Sequence, residues 1–163
     1  MLGNLKDRHR LNQTKFSFGA TSAIITNLGI ITGLNTLSHP KLSILGGILV
    51  VALADNIADS FGIHIYQESE RIGNKEIWLS TFSNFLTRIF VSLTFIILVL
   101  VLPIGLAVPI SIVWGLALLA IMSSAIAKGR GVNPSQVIFE HISIAIIVIL
   151  LSHFSGKWII SKF

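Results

Sequence analysis

Asp55 and Asp59 stand four residues apart in the stretch Lys41–Glu70, KLSILGGILVVALADNIADSFGIHIYQESE. On a helix that spacing puts both carboxylates on one face, one turn apart. Asn56, Ser60, His64, Glu68 and Glu70 complete the polar set. Hard or borderline divalent cations such as Mn²⁺ and Fe²⁺ accept carboxylate, imidazole and water ligands. Two carboxylates a turn apart can share such a cation and exchange it for protons, since crowding and desolvation favour protonation. Asp59, Asp55, Glu68, Glu70 and His64 are therefore candidate metal ligands. A second reading of the same spacing stays open: Asp55 and Asp59 hydrogen-bond Ser, Thr or Asn side chains of a neighbouring helix and lock a bundle.

The element that carries the pair begins as an apolar run at Leu42. A carboxylate at the centre of a membrane helix costs roughly 2.5–3.5 kcal/mol on insertion scales. A sequence that keeps two has a use for them or a buried partner. Over all 163 residues, 53% are hydrophobic, 12% are charged and the mean hydropathy is +0.83. Soluble domains carry about 25% charged residues. The composition therefore predicts a polytopic membrane protein forming one compact unit in a lipid bilayer. The formal charge of +5 comes from short loops and the N-terminal segment, a topology signal rather than a nucleic-acid surface. The absence of cysteine excludes disulfides, thiolate metal sites and cysteine chemistry. No signal peptide is expected, since the first fifteen residues are polar and basic.

In order, residues 1–15 read as a cytoplasmic basic segment and residues 16–163 as a transmembrane domain. The spans fall at about 16–37, 42–67, 85–106, 108–127 and 135–158. The first is rich in small and hydroxylated residues, among them Ser22, Thr26 and Asn27, which suits close helix packing. At 1.5 Å per residue Asp55 lies about 20 Å along from Leu42 and Asp59 about 26 Å. Asp59, like Ser22, then falls near the cytoplasmic boundary. The second helix is expected to protrude past that boundary through His64 to Glu70. A short polar connector, Arg71 to Asn84, follows, with Trp78 as an interfacial anchor. Pro103 and Pro109 bracket a short hairpin, and Lys128–Pro134 is a loop. Nine basic residues on one side against three on the other place the N-terminus in the cytoplasm and the C-terminus outside. The expected class is an all-α integral membrane protein with five transmembrane helices.

Other candidates are weaker. Glu140 is expected to pair with Arg88 or Arg130 at the cytoplasmic boundary, His153 to be interfacial and His39 to sit in a loop. No nucleophile motif, GxSxG or phosphate loop occurs, and the single HxxxE, His64 to Glu68, lacks a hydrolase constellation. The chain is not expected to be an enzyme or to carry a resident cofactor.

The pattern resembles the vacuolar iron transporter family, the CCC-type iron and manganese transporters. That family's first span carries a signature close to G-A-N-D-G-L-V-S-T. Here the stretch is Gly19-Ala20-Thr21-Ser22-Ala23-Ile24-Ile25-Thr26-Asn27. Its second span runs like G-E-[YF]-V-S-V-x-S-Q-x-[DE]-x-E. Here it is Ala58-Asp59-Ser60-Phe61-Gly62-Ile63-His64-Ile65-Tyr66-Gln67-Glu68-Ser69-Glu70. The proline hairpin and the Lys128–Pro134 loop also fit. The resemblance implies a homodimer that exports or sequesters Fe²⁺ or Mn²⁺ from the cytoplasm in exchange for protons. It implies Asp59 in place of the family's second-span glutamate, and Glu68 and Glu70 at its acidic cytoplasmic end. Ser22 stands where the family has its first-span aspartate, and Asp55 is the nearest carboxylate that can compensate. Ser22, Thr26 and Asn27 would add neutral oxygens. The long acidic insert of some members is absent, and a bacterial or archaeal inner membrane suits the short form.

Overall fold

The computed structural model describes residues 19–162, all five of whose regular elements are helices. They are α1 (Gly19–Leu34), α2 (Pro40–Ser69), α3 (Asn74–Val101), α4 (Ile104–Arg130) and α5 (Pro134–Lys162). Among the described residues, α2 to α5 are long and apolar enough to cross a membrane, and α1 is a shorter apolar helix. The basic segment expected over residues 1–15, and the first residues of the first span, lie outside the described residues.

The helix ends follow local chemistry. Pro40 and Pro134 open α2 and α5, where a missing N–H costs nothing. Gly131 closes α4 with a left-handed φ of 68°. Its N–H reaches Lys128 O and that of Val132 reaches Ala127 O, capping the last carbonyls. The end of α2 uses the same pattern, Arg71 N–H to Glu68 O and Ile72 N–H to Gln67 O, with Arg71 at φ 56°. That tight closure corrects the connector expected over Arg71–Asn84: α3 begins at Asn74, so most of that segment is helix. Likewise Pro109 lies inside α4, not at a hairpin edge; the break there is Leu102-Pro103. The Lys41 ammonium crosses to Leu100 O and Leu102 O and ties the start of α2 to the end of α3.

Helix α1 is the hub. Ile24, Leu28 and Ile31 are buried and pack with Ile44 and Ile48 of α2, Phe95 and Val99 of α3, Leu119 of α4 and Ala145 of α5. Polarity is inverted elsewhere. The outer faces carry Leu42, Val101 and Phe139 at 73–75% exposure, while Asn56, Ser60, Asn84, Arg88 and Ser123 are buried. Large apolar surface outside and polar groups paired inside is the arrangement a lipid solvent favours.

Glycines set the close approaches. A Cβ on Gly156 would strike the Gly33 carbonyl and the Thr36 hydroxyl, so α5 meets α1 backbone to backbone there. Gly62 has open space around it. Gly156→Ala should therefore destabilise the protein by about 1–3 kcal/mol through overpacking. Gly62→Ala should stabilise it by up to about 1 kcal/mol through helix propensity. Thermal unfolding in detergent checks the pair, and equal shifts in the two variants would contradict the packing of α5 on α1.

Candidate functional site

Arg88 is the centre of the site. It is fully buried on α3, and its guanidinium reaches two other helices. Nε donates to Asn56 Oδ1 at 2.6 Å. Nη2 donates to Asp55 Oδ2 and Nη1 to Asp59 Oδ2, both at 2.5 Å. Nη1 also donates to the Ser22 hydroxyl of α1 at 2.7 Å. The planar fork of five donors lets one side chain hold three residues of α2 and one of α1 together. The Ser22 hydroxyl in turn lies 3.4 Å from Asp59 Oδ2.

The charges do not cancel. Two carboxylates face one guanidinium, which leaves the cluster one negative charge in excess. Arg88 has no exposed surface, whereas the side chains of Asp55 and Asp59 are 43% and 37% exposed. Arg88 engages only the Oδ2 atom of each, so neither Oδ1 takes part in the ion pairs. The site is thus a pair of half-open carboxylates backed by a buried cation.

The residues singled out from sequence are dispersed. Ser22 and Asp59 are neighbours, as their matching depth predicts. Asn27 turns instead to Ala23 O and to Ser92 of α3. Thr26 lines a groove between α1 and α5 with Gly29, Gly33, Ser152 and Gly156. His64 Nδ1 is 3.1 Å from the Thr81 hydroxyl, and its ring packs between Phe61 and Trp78. Glu68 and Glu70 are exposed at the end of α2. Among the described residues no three His, Asp or Glu side chains form a group suited to a metal ion, so the five candidate ligands do not converge. The pairing expected between Glu140 and Arg88 is corrected: Arg88 is taken by Asp55 and Asp59, and Glu140 accepts from Gln136 at 3.1 Å. His141 pairs with Ser123 at 2.8 Å.

Sequence reasoning missed what surrounds Arg88. On α3, Ser80, Asn84, Arg88 and Ser92 recur every four residues on one buried face. Each meets an amide residue or a hydroxyl across the seam. Gln67 Nε2 donates to Ser80 at 2.8 Å, and Asn84 Nδ2 donates to Ser60 at 3.0 Å. Arg88 meets Asn56, and Asn27 Nδ2 donates to Ser92 at 3.0 Å. The signal was the four-residue polar spacing inside an otherwise apolar run.

Fold and site together define a helical multi-pass membrane protein with a charged cluster inside its helix bundle. Comparison with family models, with curated proteins and with solved structures finds no match.

Proposed function

We propose that the protein is a membrane carrier that moves a divalent transition-metal cation, Fe²⁺ or Mn²⁺, out of the cytoplasm in exchange for protons. It would act as a five-span homodimer in a bacterial or archaeal inner membrane, N-terminus inside and C-terminus outside. One observation carries this reading: Asp55 and Asp59 converge on a single point, stay half-open and exceed their buried partner by one charge. Ionisable groups on membrane helices are costly and mark ion paths more often than packing. The Oδ1 atoms of Asp55 and Asp59, which Arg88 does not engage, would take the cation. Ser22 would position Asp59, and Glu68 and Glu70 would collect cations at the cytoplasmic mouth. Arg88 would hold the carboxylate pair in place when it is empty.

A second reading is a non-transporting membrane scaffold in which Asp55 and Asp59 only join helices. It is favoured by the position of the guanidinium, which already bridges the two carboxylates and ties α1, α2 and α3 together. Equilibrium binding of Mn²⁺ to purified protein separates the two. The carrier reading expects saturable binding that Asp59→Asn weakens at least about tenfold, equivalent to about 1.4 kcal/mol. Absence of binding by folded wild type, with Asp59→Asn lowering only the melting temperature, would establish the scaffold.

A further inference from the structure

We propose that the groove between α1 and α5 binds one anionic phospholipid. Its acyl chain lies along the groove, its ester oxygens accept from the Ser152 and Ser155 hydroxyls, and its phosphate pairs with Lys162. The site is independent of the carrier reading.

The floor of the groove is backbone. A Cβ on Gly29 would meet the Ser152 hydroxyl and Val148 at 3.1 Å, and one on Gly33 would meet the Ser152 carbonyl at 3.3 Å. Neither glycine has a side chain to fill the space, and Ile30 and Leu34 form the wall on the α1 side. What remains is a groove of about 490 Å³. A methylene group is about the size of a water molecule, which takes about 30 Å³, so there is room for about sixteen of them. From Thr26 to Leu37 the groove runs about 16 Å at helical rise. That is about half of a ~30 Å hydrocarbon core, the depth of one leaflet. A single acyl chain has this volume and this length. A helix of a second copy, about 10 Å across, would take about 1250 Å³ over the same length and does not fit.

Two further features point to a lipid with an anionic head. The first is a pair of hydroxyls. Nearby on the same two segments, Thr32 donates to Leu28 O, Thr36 to Gly33 O, Ser143 to Phe139 O and Ser161 to Trp158 O. Ser152 and Ser155 line the groove and make no hydrogen bond among the described residues. A polar group held in an apolar medium without a partner is costly. Lipid ester oxygens accept and cannot donate, which suits two free hydroxyl donors. The second feature is charge. On α5 the groove is lined by Val148, Ser152, Ser155 and Ile159, at steps of four, three and four residues along one helical face. The next step of three reaches Lys162, exposed in the last turn of α5. Lys162 lies about 10 Å along the axis from Ser155. Its flexible stem can fold back over that distance, and an ammonium binds phosphate as a point charge. Lys41 stands at the same end of the bundle, occupied by Leu100 O and Leu102 O. Among the described residues no Asp or Glu faces Lys162 from this end. On α2 the nearest is Asp55, about 22 Å along the helix from Pro40.

Native mass spectrometry of the full chain in detergent tests the site. The probes are palmitoyl-oleoyl phosphatidylglycerol and phosphatidylcholine with the same chains. Wild type should take up one phosphatidylglycerol per chain, saturably and about fivefold more tightly than phosphatidylcholine, the effect of one lysine on an anionic lipid. Lys162→Gln should abolish that preference at an unchanged melting temperature, because the side chain is exposed and bonds nothing among the described residues. Ser155→Trp, which fills the groove from its exposed wall, should weaken binding of both lipids. Stepwise uptake of several lipids with no preferred first one would mean annular lipid only and overturn the proposal. Equal affinity for the two headgroups, or a preference that survives Lys162→Gln, would also overturn it. Lipid uptake unchanged in Ser155→Trp, with a dimer lost instead, would give the groove to a second copy. If Ser155→Trp fails to fold, the headgroup comparison and Lys162→Gln still decide.

Discussion

Replacing Asp55 and Asp59 together by asparagine should cost about 5 kcal/mol, enough to leave the protein unfolded or aggregated in mild detergent. The reason is asymmetry. The two aspartates are partly exposed, but Arg88 has no exposed surface and cannot lose its charge. Removing both anions strands a guanidinium among Asn56, Ser22 and two neutral amides. Stripping a buried ion of its partner costs about 3–5 kcal/mol, and membrane depth pushes this case to the upper end. Total stabilities are about 5–15 kcal/mol, so little remains. Adding Arg88→Met to the pair should restore most of the loss, because the cluster is then neutral throughout. Unfolding in graded denaturing detergent measures all three proteins. A double variant as stable as wild type would mean that Arg88 is not the buried counter-ion described above.

Arg88→Met alone should be milder, about 2–3 kcal/mol, since it leaves two partly exposed carboxylates that repel each other one turn apart. Its response to metal is the informative part. With the guanidinium gone, both oxygens of each carboxylate are free to hold a cation. Mn²⁺ at a hundred times its dissociation constant should then return about 2.7 kcal/mol by mass action. Mg²⁺, which keeps its own waters, should return less. Thermal unfolding with and without each ion gives the answer. No recovery with Mn²⁺ would show that the carboxylates cannot act as a cation site even when vacated.

Much of this was legible in the sequence, and the failures have physical causes. Pro40, Pro134 and Gly131 announce helix ends because proline lacks an N–H and glycine accepts a positive φ. Asp55 and Asp59 were visible as a pair because their spacing is one turn. Their depth also placed Asp59 beside Ser22. Arg88 was misplaced, since a lone arginine near the start of an apolar run reads as a boundary residue. Nothing local says that its partners lie on α2, about thirty residues earlier. The seam was missed for the same reason. Ser80 and Asn84 look like connector residues until α3 is known to begin at Asn74, after which Ser80, Asn84, Arg88 and Ser92 fall on one stripe. The hub role of α1 was half-visible. Its small residues promise close contact, but only the packed bundle shows that Gly33 meets α5 and Leu28 meets Gly115 of α4.

The most direct test of the carrier reading is uptake of Mn²⁺ and Fe²⁺ into proteoliposomes under an imposed pH gradient, for wild type and Asp59→Asn. Asp55 remains to pair with Arg88 in that variant, so the bundle should survive. Uptake that follows the gradient and falls at least about tenfold in Asp59→Asn is the predicted result. Folded wild-type protein that moves neither ion under any gradient would contradict it.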